Sequence, residues 1–126
     1  MQYPQAIRDR QADYVFMFDR RLAQKLATTI TERMIEEHRR KPLGQHSDAL
    51  ERVLNFFRRG GLAGKVGIFQ PDPARPVYRL IRFPGVRGGS ATIIDGEPAT
   101  SLAEAHHAAF LQRIADLNAQ LAGDEA

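Results

Sequence analysis

The chain contains no cysteine and no tryptophan. Without cysteine there is no disulfide framework, and zinc or iron–sulfur sites built on thiolates are excluded. No apolar run approaches the roughly 20 residues that a bilayer-spanning helix requires. Met1 to Arg10 lacks the apolar stretch of a secretory signal, so a cytoplasmic protein is expected. A large excess of one charge is also missing, since 18 Lys and Arg stand against 15 Asp and Glu. The balance is uneven along the chain. Residues 1–65 hold 13 basic against 8 acidic groups, and residues 66–126 hold 5 against 7. A basic half suits an acidic partner or nucleic acid.

What is present is ordinary globular material, 43% hydrophobic and 26% charged over 126 residues. That length fits one domain, 1–126, and no internal repeat or low-complexity tract divides it. Pro4 marks residues 1–7 as an irregular arm. Residues 8–59 read as helical and residues 60–126 as a small sheet followed by a helix. From Arg8 to Lys41 no Gly or Pro interrupts the helical pattern. A single helix of that length would run about 50 Å, against a radius of gyration of about 14 Å for a domain of this size. A break is therefore expected. Thr29-Ile30-Thr31-Glu32 supplies it as a capping box, giving one helix near 10–27 and another near 30–40. Phe18, Leu22 and Leu26 carry the apolar side of the first, and Ile30, Met34 and Ile35 that of the second.

Lys41-Pro42-Leu43-Gly44 ends the second helix, because proline disfavours helical geometry in the residue before it. Asp48 with Glu51 reads as the start of a third, and Ser47 also stands where a cap would. In that helix Leu50, Val53, Leu54 and Phe57 fall at i, i+3, i+4 and i+7 and line one face. Phe57 is assigned to the core. Phe56 points off that face and needs a second apolar surface. Gly60-Gly61 stops the helix after Arg59.

The period then changes from 3.6 to 2. Residues 65–70 and 77–83 read as strands joined by Pro71-Asp72-Pro73-Ala74-Arg75-Pro76, too long for a two-residue turn. Ala91-Thr92-Ile93-Ile94 is a short third strand. Ser101-Leu102-Ala103-Glu104 is a capping box opening the last helix, whose stripe is Leu102, Phe110, Ile114, Leu117 and Leu121. Residues 123–126 should fray. The expected class is α+β: N-terminal helices, a small two- or three-stranded antiparallel sheet, then a C-terminal capped helix.

No catalytic constellation emerges. His106 and His107 are adjacent and point about 100° apart, so one helical face cannot present both to a metal ion. His106 lies four residues before Phe110, as a buried or interfacial histidine satisfied by a hydrogen bond. His38 ends a helix, where a cation suits the dipole. Ser47 and Ser101 are explained as caps rather than nucleophiles. Asp13, Asp19, Glu36 and Glu37 read as surface charges, with Glu36–Arg40 and Glu37–Lys41 as i, i+4 pairs. Gly60-Gly61-Leu62-Ala63-Gly64-Lys65 fails as a phosphate loop. Its spacing is one residue short, Val66 stands where Ser or Thr would hold magnesium, and it leads from helix to strand. No catalytic, cofactor-binding or metal residue is assigned. Arg20-Arg21, Arg39-Arg40-Lys41 and Arg58-Arg59 are basic enough to meet phosphates, which makes a small nucleic-acid-binding domain the alternative reading. Acidic neighbours interleave these pairs and weigh against it.

Several segments resemble, in order, the small (alpha) subunit of N,N-dimethylformamidase. They begin with Arg8-Asp9-Arg10-Gln11-Ala12-Asp13-Tyr14, then Phe16, Phe18 and Asp19. Glu36-Glu37-His38, Pro42-Leu43-Gly44, His46 and Leu50-x-Arg52-Val53-x-Asn55-Phe56-Phe57-Arg58 follow. Gly64-Lys65, Tyr78-Arg79 and Glu104-Ala105-x-His107-Ala108-x-Phe110-Leu111-x-Arg113-Ile114 complete the set. The chain departs from the pattern in lacking a tryptophan in its first helix and in its glycine-rich stretch from Gly85 to Gly96. The resemblance implies a hetero-oligomeric amidohydrolase that converts N,N-dimethylformamide and water to dimethylamine and formate. It implies that iron and the catalytic residues belong to a separate large subunit, and that this chain alone is inactive. Tyr14, Phe18 and Phe56 are then the expected interface anchors, since large aromatics dominate interfaces. Arg39, Arg40 and Lys41 are expected to steer the basic half onto an acidic partner. A small enzyme acting alone would have only His38, His46, His106 and His107 as near-neutral bases.

Overall fold

A computed structural model describes residues 20–59, 62 and 64–125. The arm at 1–7, the start of the first helix, Tyr14 and Phe18 lie outside the described residues. Helix α1 covers residues 20–29, α2 Glu32–Arg40 and α3 Asp48–Arg58. Strands β1 (Val66–Phe69), β2 (Arg79–Arg82) and β3 (Thr92–Ile93) precede α4 (Leu102–Glu125). The class is α+β, with helices first, an antiparallel sheet ordered β1-β2-β3, and a long final helix.

The break between α1 and α2 falls where expected, but its cap lies two residues later. Thr31, not Thr29, accepts from the Met34 amide at 3.2 Å. Thr29 closes α1 instead, its hydroxyl donating back to the Leu26 carbonyl at 2.7 Å. The cap of α3 is Ser47, which accepts from the Leu50 amide, and Asp48 is the first helical residue. The third helical position is occupied by Leu50, fully buried in the core, so no local carboxylate can complete a capping box. Glu37 of α2 supplies it: its two carboxylate oxygens accept from the Ser47 amide and hydroxyl, each at 2.7 Å. Glu37 thus ties α2 to α3 rather than pairing with the Lys41 side chain. Its carboxyl sits below the usual range because of these two bonds.

At α4 the Ser101 hydroxyl accepts from the Glu104 amide at 3.1 Å. Glu104 reaches one residue beyond the cap, accepting from the Thr100 amide and hydroxyl at 3.1 and 2.9 Å. The helix runs to Glu125, past Gly123, where fraying was expected. A single helical glycine costs only about 1 kcal/mol relative to alanine.

The core gathers Met34, Leu50, Val53, Leu54 and Phe110, with Leu26, Ile30, Ile35, Phe57 and Ile114 packed against it. Phe57 is a rim residue, half-buried, with its ring edge-on to Phe110 at 6.2 Å. On α4 the expected stripe is incomplete. Leu102 is exposed, whereas Ala105 and Ala109, one turn apart, are fully buried. A helix packed on two sides buries small residues as well as large ones, so its stripe widens beyond what the leucines mark.

The register Val66↔Arg82 and Ile68↔Leu80 puts these four residues on one face of the sheet. Helix α4 packs on β1 and β2. Arg82 clasps Asp116 of α4 through both guanidinium nitrogens at 2.9 and 3.1 Å, which identifies this as the α4 side. The opposite face carries Gly67, Phe69, Arg79, Ile81 and Ile93. Gly67 is required there. A Cβ on it would lie 2.6 Å from the Phe83 ring, which crosses the strand at that point.

Candidate functional site

Two features of the molecule lie outside routine packing. The first is a convergence of four histidines from three segments. His38 stands near the end of α2 and is 3% exposed. Its ring stacks on Phe110 at 4.1 Å and on His46 at 5.7 Å. Its Nδ1 lies 2.9 Å from Nδ1 of His107, so one ring carries the shared hydrogen and the other accepts it. Burial, with the neighbouring His107, His46, His106 and Arg113, pushes His38 down to about 4. It is therefore neutral near pH 7, and the expected cation at the helix end is not realised. The aromatic slot over Phe110 excludes the water that would support a charge.

His107 and His106 are also lowered, chiefly by burial, Arg39 adding to the effect at His107 and Arg113 at His106. The hydrogen bond expected of His106 is made instead by its neighbour His107, to His38. His46 donates from Nε2 to the Lys41 carbonyl at 2.6 Å and places Nδ1 3.2 Å from Glu51. These contacts take up both ring nitrogens of His46 and one each of His38 and His107. Among the described residues no group of three His, Cys, Asp or Glu is arranged to hold an ion. The resemblance places iron on a separate large subunit, not on this cluster, and no chemical step is derived through it. Sequence spacing shows that His106 and His107 diverge. It cannot show that α2 and the following loop bring His38 and His46 to meet them.

The second feature is the sheet face opposite α4. Phe69 is 45% and Ile93 58% exposed there, beside half-buried Ile81 and Phe83. Large apolar side chains grouped on one side of a small sheet mark a surface suited to another macromolecule. Neither strand periodicity nor composition singled it out.

The expected interface residues that lie among the described ones are scattered. Phe56 is half-buried, 6.0 Å from the Phe57 ring, and lines a groove with Leu117 and Gln120 of α4. Arg39 and Arg40 are exposed and paired with Glu36, whose carboxyl the Arg39 hydrogen bonds above all draw down to about 2. Lys41 is exposed, and its side chain lies against Gly44. None of these adjoins the apolar sheet face by sequence or element. Among the described residues no helix is long and apolar enough to cross a membrane.

Comparison with known proteins accounts for nearly the whole chain. Residues 13–124 match the family described as N,N-dimethylformamidase alpha subunit. The N,N-dimethylformamidase alpha subunit of Alcaligenes sp is 33% identical over 124 residues, covering 94% of this chain and 92% of the relative. That of Paracoccus aminophilus is 32% identical over 127 residues, covering 97% and 88%. The motifs from Glu36 to Arg58 and from Glu104 to Ile114, which build the helical core and the histidine cluster, fall within the matched span. The chain belongs to the N,N-dimethylformamidase alpha subunit family.

Proposed function

We propose that this chain is the small, non-catalytic subunit of a cytoplasmic, hetero-oligomeric N,N-dimethylformamidase-like amidohydrolase. Its role is to stabilise an iron-bearing large subunit that hydrolyses N,N-dimethylformamide to dimethylamine and formate. The observation that carries this reading is the match of residues 13–124 to a family named for a subunit. The exposed sheet face with Phe69 and Ile93 supports it, because apolar surface of this kind gains by burial against a partner. Phe56, and Tyr14 and Phe18 in the segment before α1, remain proposed anchors. Arg39, Arg40 and Lys41 act on the rate of encounter rather than on the final affinity.

The test is purification of the tagged chain from its source cells, followed by native mass, iron content and dimethylformamide hydrolysis of what accompanies it. A stoichiometric larger subunit that contains iron and carries the activity is the expected result. A lone monomer or homodimer that binds DNA or RNA in a salt-dependent way would overturn the reading in favour of the nucleic-acid alternative.

A further inference from the structure

A cavity of about 410 Å³ opens between α3, the start of β1 and α4. Three cationic side chains line it: Arg58 from α3, Lys65 just before β1, and Arg113 from α4. The rings of His38 and His106 face it as well, and Leu54 and Phe57 form part of an apolar wall. No carboxylate is among its described lining residues.

Each of the three cations is bonded to a neutral acceptor. Arg113 donates to the Val66 carbonyl at 3.1 Å, Arg58 to the Asn55 side-chain oxygen at 3.1 Å, and Lys65 to the Arg59 carbonyl. Elsewhere the pattern differs. Arg39 and Arg40 meet Glu36, Arg75 meets Asp72, and Arg82 meets Asp116. Glu51 lies 3.2 Å from Nδ1 of His46 and does not line the cavity. Burial, and after it the facing Arg58, holds Arg113 below the ordinary arginine value. Bringing like charges together in a partly dry hollow is unfavourable, and an anion between them reverses the sign of that interaction.

We propose that this cavity binds a small organic carboxylate. The forked guanidiniums of Arg113 and Arg58 match the two oxygens of a planar carboxylate, and Lys65 adds a point charge. Neutral His38 and His106 offer ring nitrogens at the same mouth. The apolar wall of Leu54 and Phe57 suits the carbon end of such a molecule and gives nothing to a phosphate or sulfate, whose oxygens all seek donors. The volume lies in the usual range for small-ligand sites. Two sources share this chemistry: a free short-chain acid, and an Asp or Glu side chain presented by a bound protein. The inference stands on the cavity and is independent of the proposed amidohydrolase role.

The experiment is calorimetric titration of acetate into the full chain and into the complex purified with it, with sulfate as the comparison anion. Saturable acetate binding is expected, weakened about tenfold or more by Arg113→Lys and by Arg58→Gln. Arg58 is exposed and its hydrogen bond is to Asn55 of the same helix, so its variant disturbs the fold less than one at Arg113. Binding by both chain and complex assigns the site to a free acid. Binding by the chain that disappears on assembly assigns it to a protein carboxylate. Acetate binding that neither variant weakens, no binding by a chain that circular dichroism shows to be folded, or tighter binding of sulfate overturns the proposal. For a chain unfolded in isolation the variants are read in the complex, where unchanged acetate binding together with unchanged subunit affinity overturns it.

Discussion

The helical half of the molecule and its sheet solve the problem of apolar surface in opposite ways. Between α2, α3 and α4 the surface closes on itself: Leu50 and Phe110 are fully buried, and even the one buried polar side chain among the described residues, His38, is stacked and hydrogen-bonded. The sheet closes on one side only. Val66 is buried under α4, while Phe69 and Ile93 on the other side stay about half exposed. Stability therefore resides in the helical interior. The sheet holds surface whose burial would come from association.

The strongest blow to this contrast is Phe110→Ala. It should lower unfolding free energy by about 3–5 kcal/mol, read by urea denaturation. Phe57→Ala, at the rim, should cost about 2 kcal/mol, less than a core position would. Equal losses at the two sites would erase the distinction between interior and rim.

Acid is the next lever, because His38 titrates near 4 in the folded chain and near 6.5 in an unfolded one. The unfolded chain binds the proton first, so this stabilisation is fully present above pH 6.5 and is lost as pH falls from 6.5 to 4. At 1.36 kcal/mol per unit the loss reaches about 3 kcal/mol, and His106 and His107 shift in the same direction. Urea midpoints at pH 8, 6 and 4.5 should decline in that order. His38→Gln should flatten the decline. A profile unchanged by that substitution would remove His38 from the account.

Arg82→Met opens the clasp between β2 and Asp116. Both partners are about one-third exposed, so solvent screening holds the expected cost to about 1 kcal/mol despite the two-pronged geometry. The smallest effect on the isolated fold is expected at the bare sheet face. Phe69→Ser and Ile93→Ser should change stability by no more than about 0.5 kcal/mol while reducing the fraction of chain recovered with the large subunit proposed as its partner. Destabilisation as large as that of Phe57→Ala, with assembly intact, would show the face to be internal support instead.

Much of the fold was legible because it is written locally. Gly60-Gly61, Pro42 and the switch from period 3.6 to period 2 place α3, β1 and β2 within a residue or two of where they lie. The caps were misplaced where two residues close together have the same chemistry. Thr29 and Thr31 are both able to cap, and only the direction in which each hydroxyl points separates them. The functional features were less legible because they are tertiary. His38 and His107 lie 69 positions apart yet share one hydrogen. Ala105 and Ala109 give no hydrophobic signal above background. The place of Arg113 shows only once β1 and α3 are seen beside it.

The bridge from Glu37 to Ser47 has a consequence for descent. The start of α3 is capped by a residue ten positions away, on a different helix. Neither position can drift alone without stranding its partner's hydrogen bonds. Among relatives of this chain the two sites should be inherited as a unit, an acid with a small hydroxyl. Lineages that lose the hydroxyl should lose the acid, and with it the fixed corner between α2 and α3.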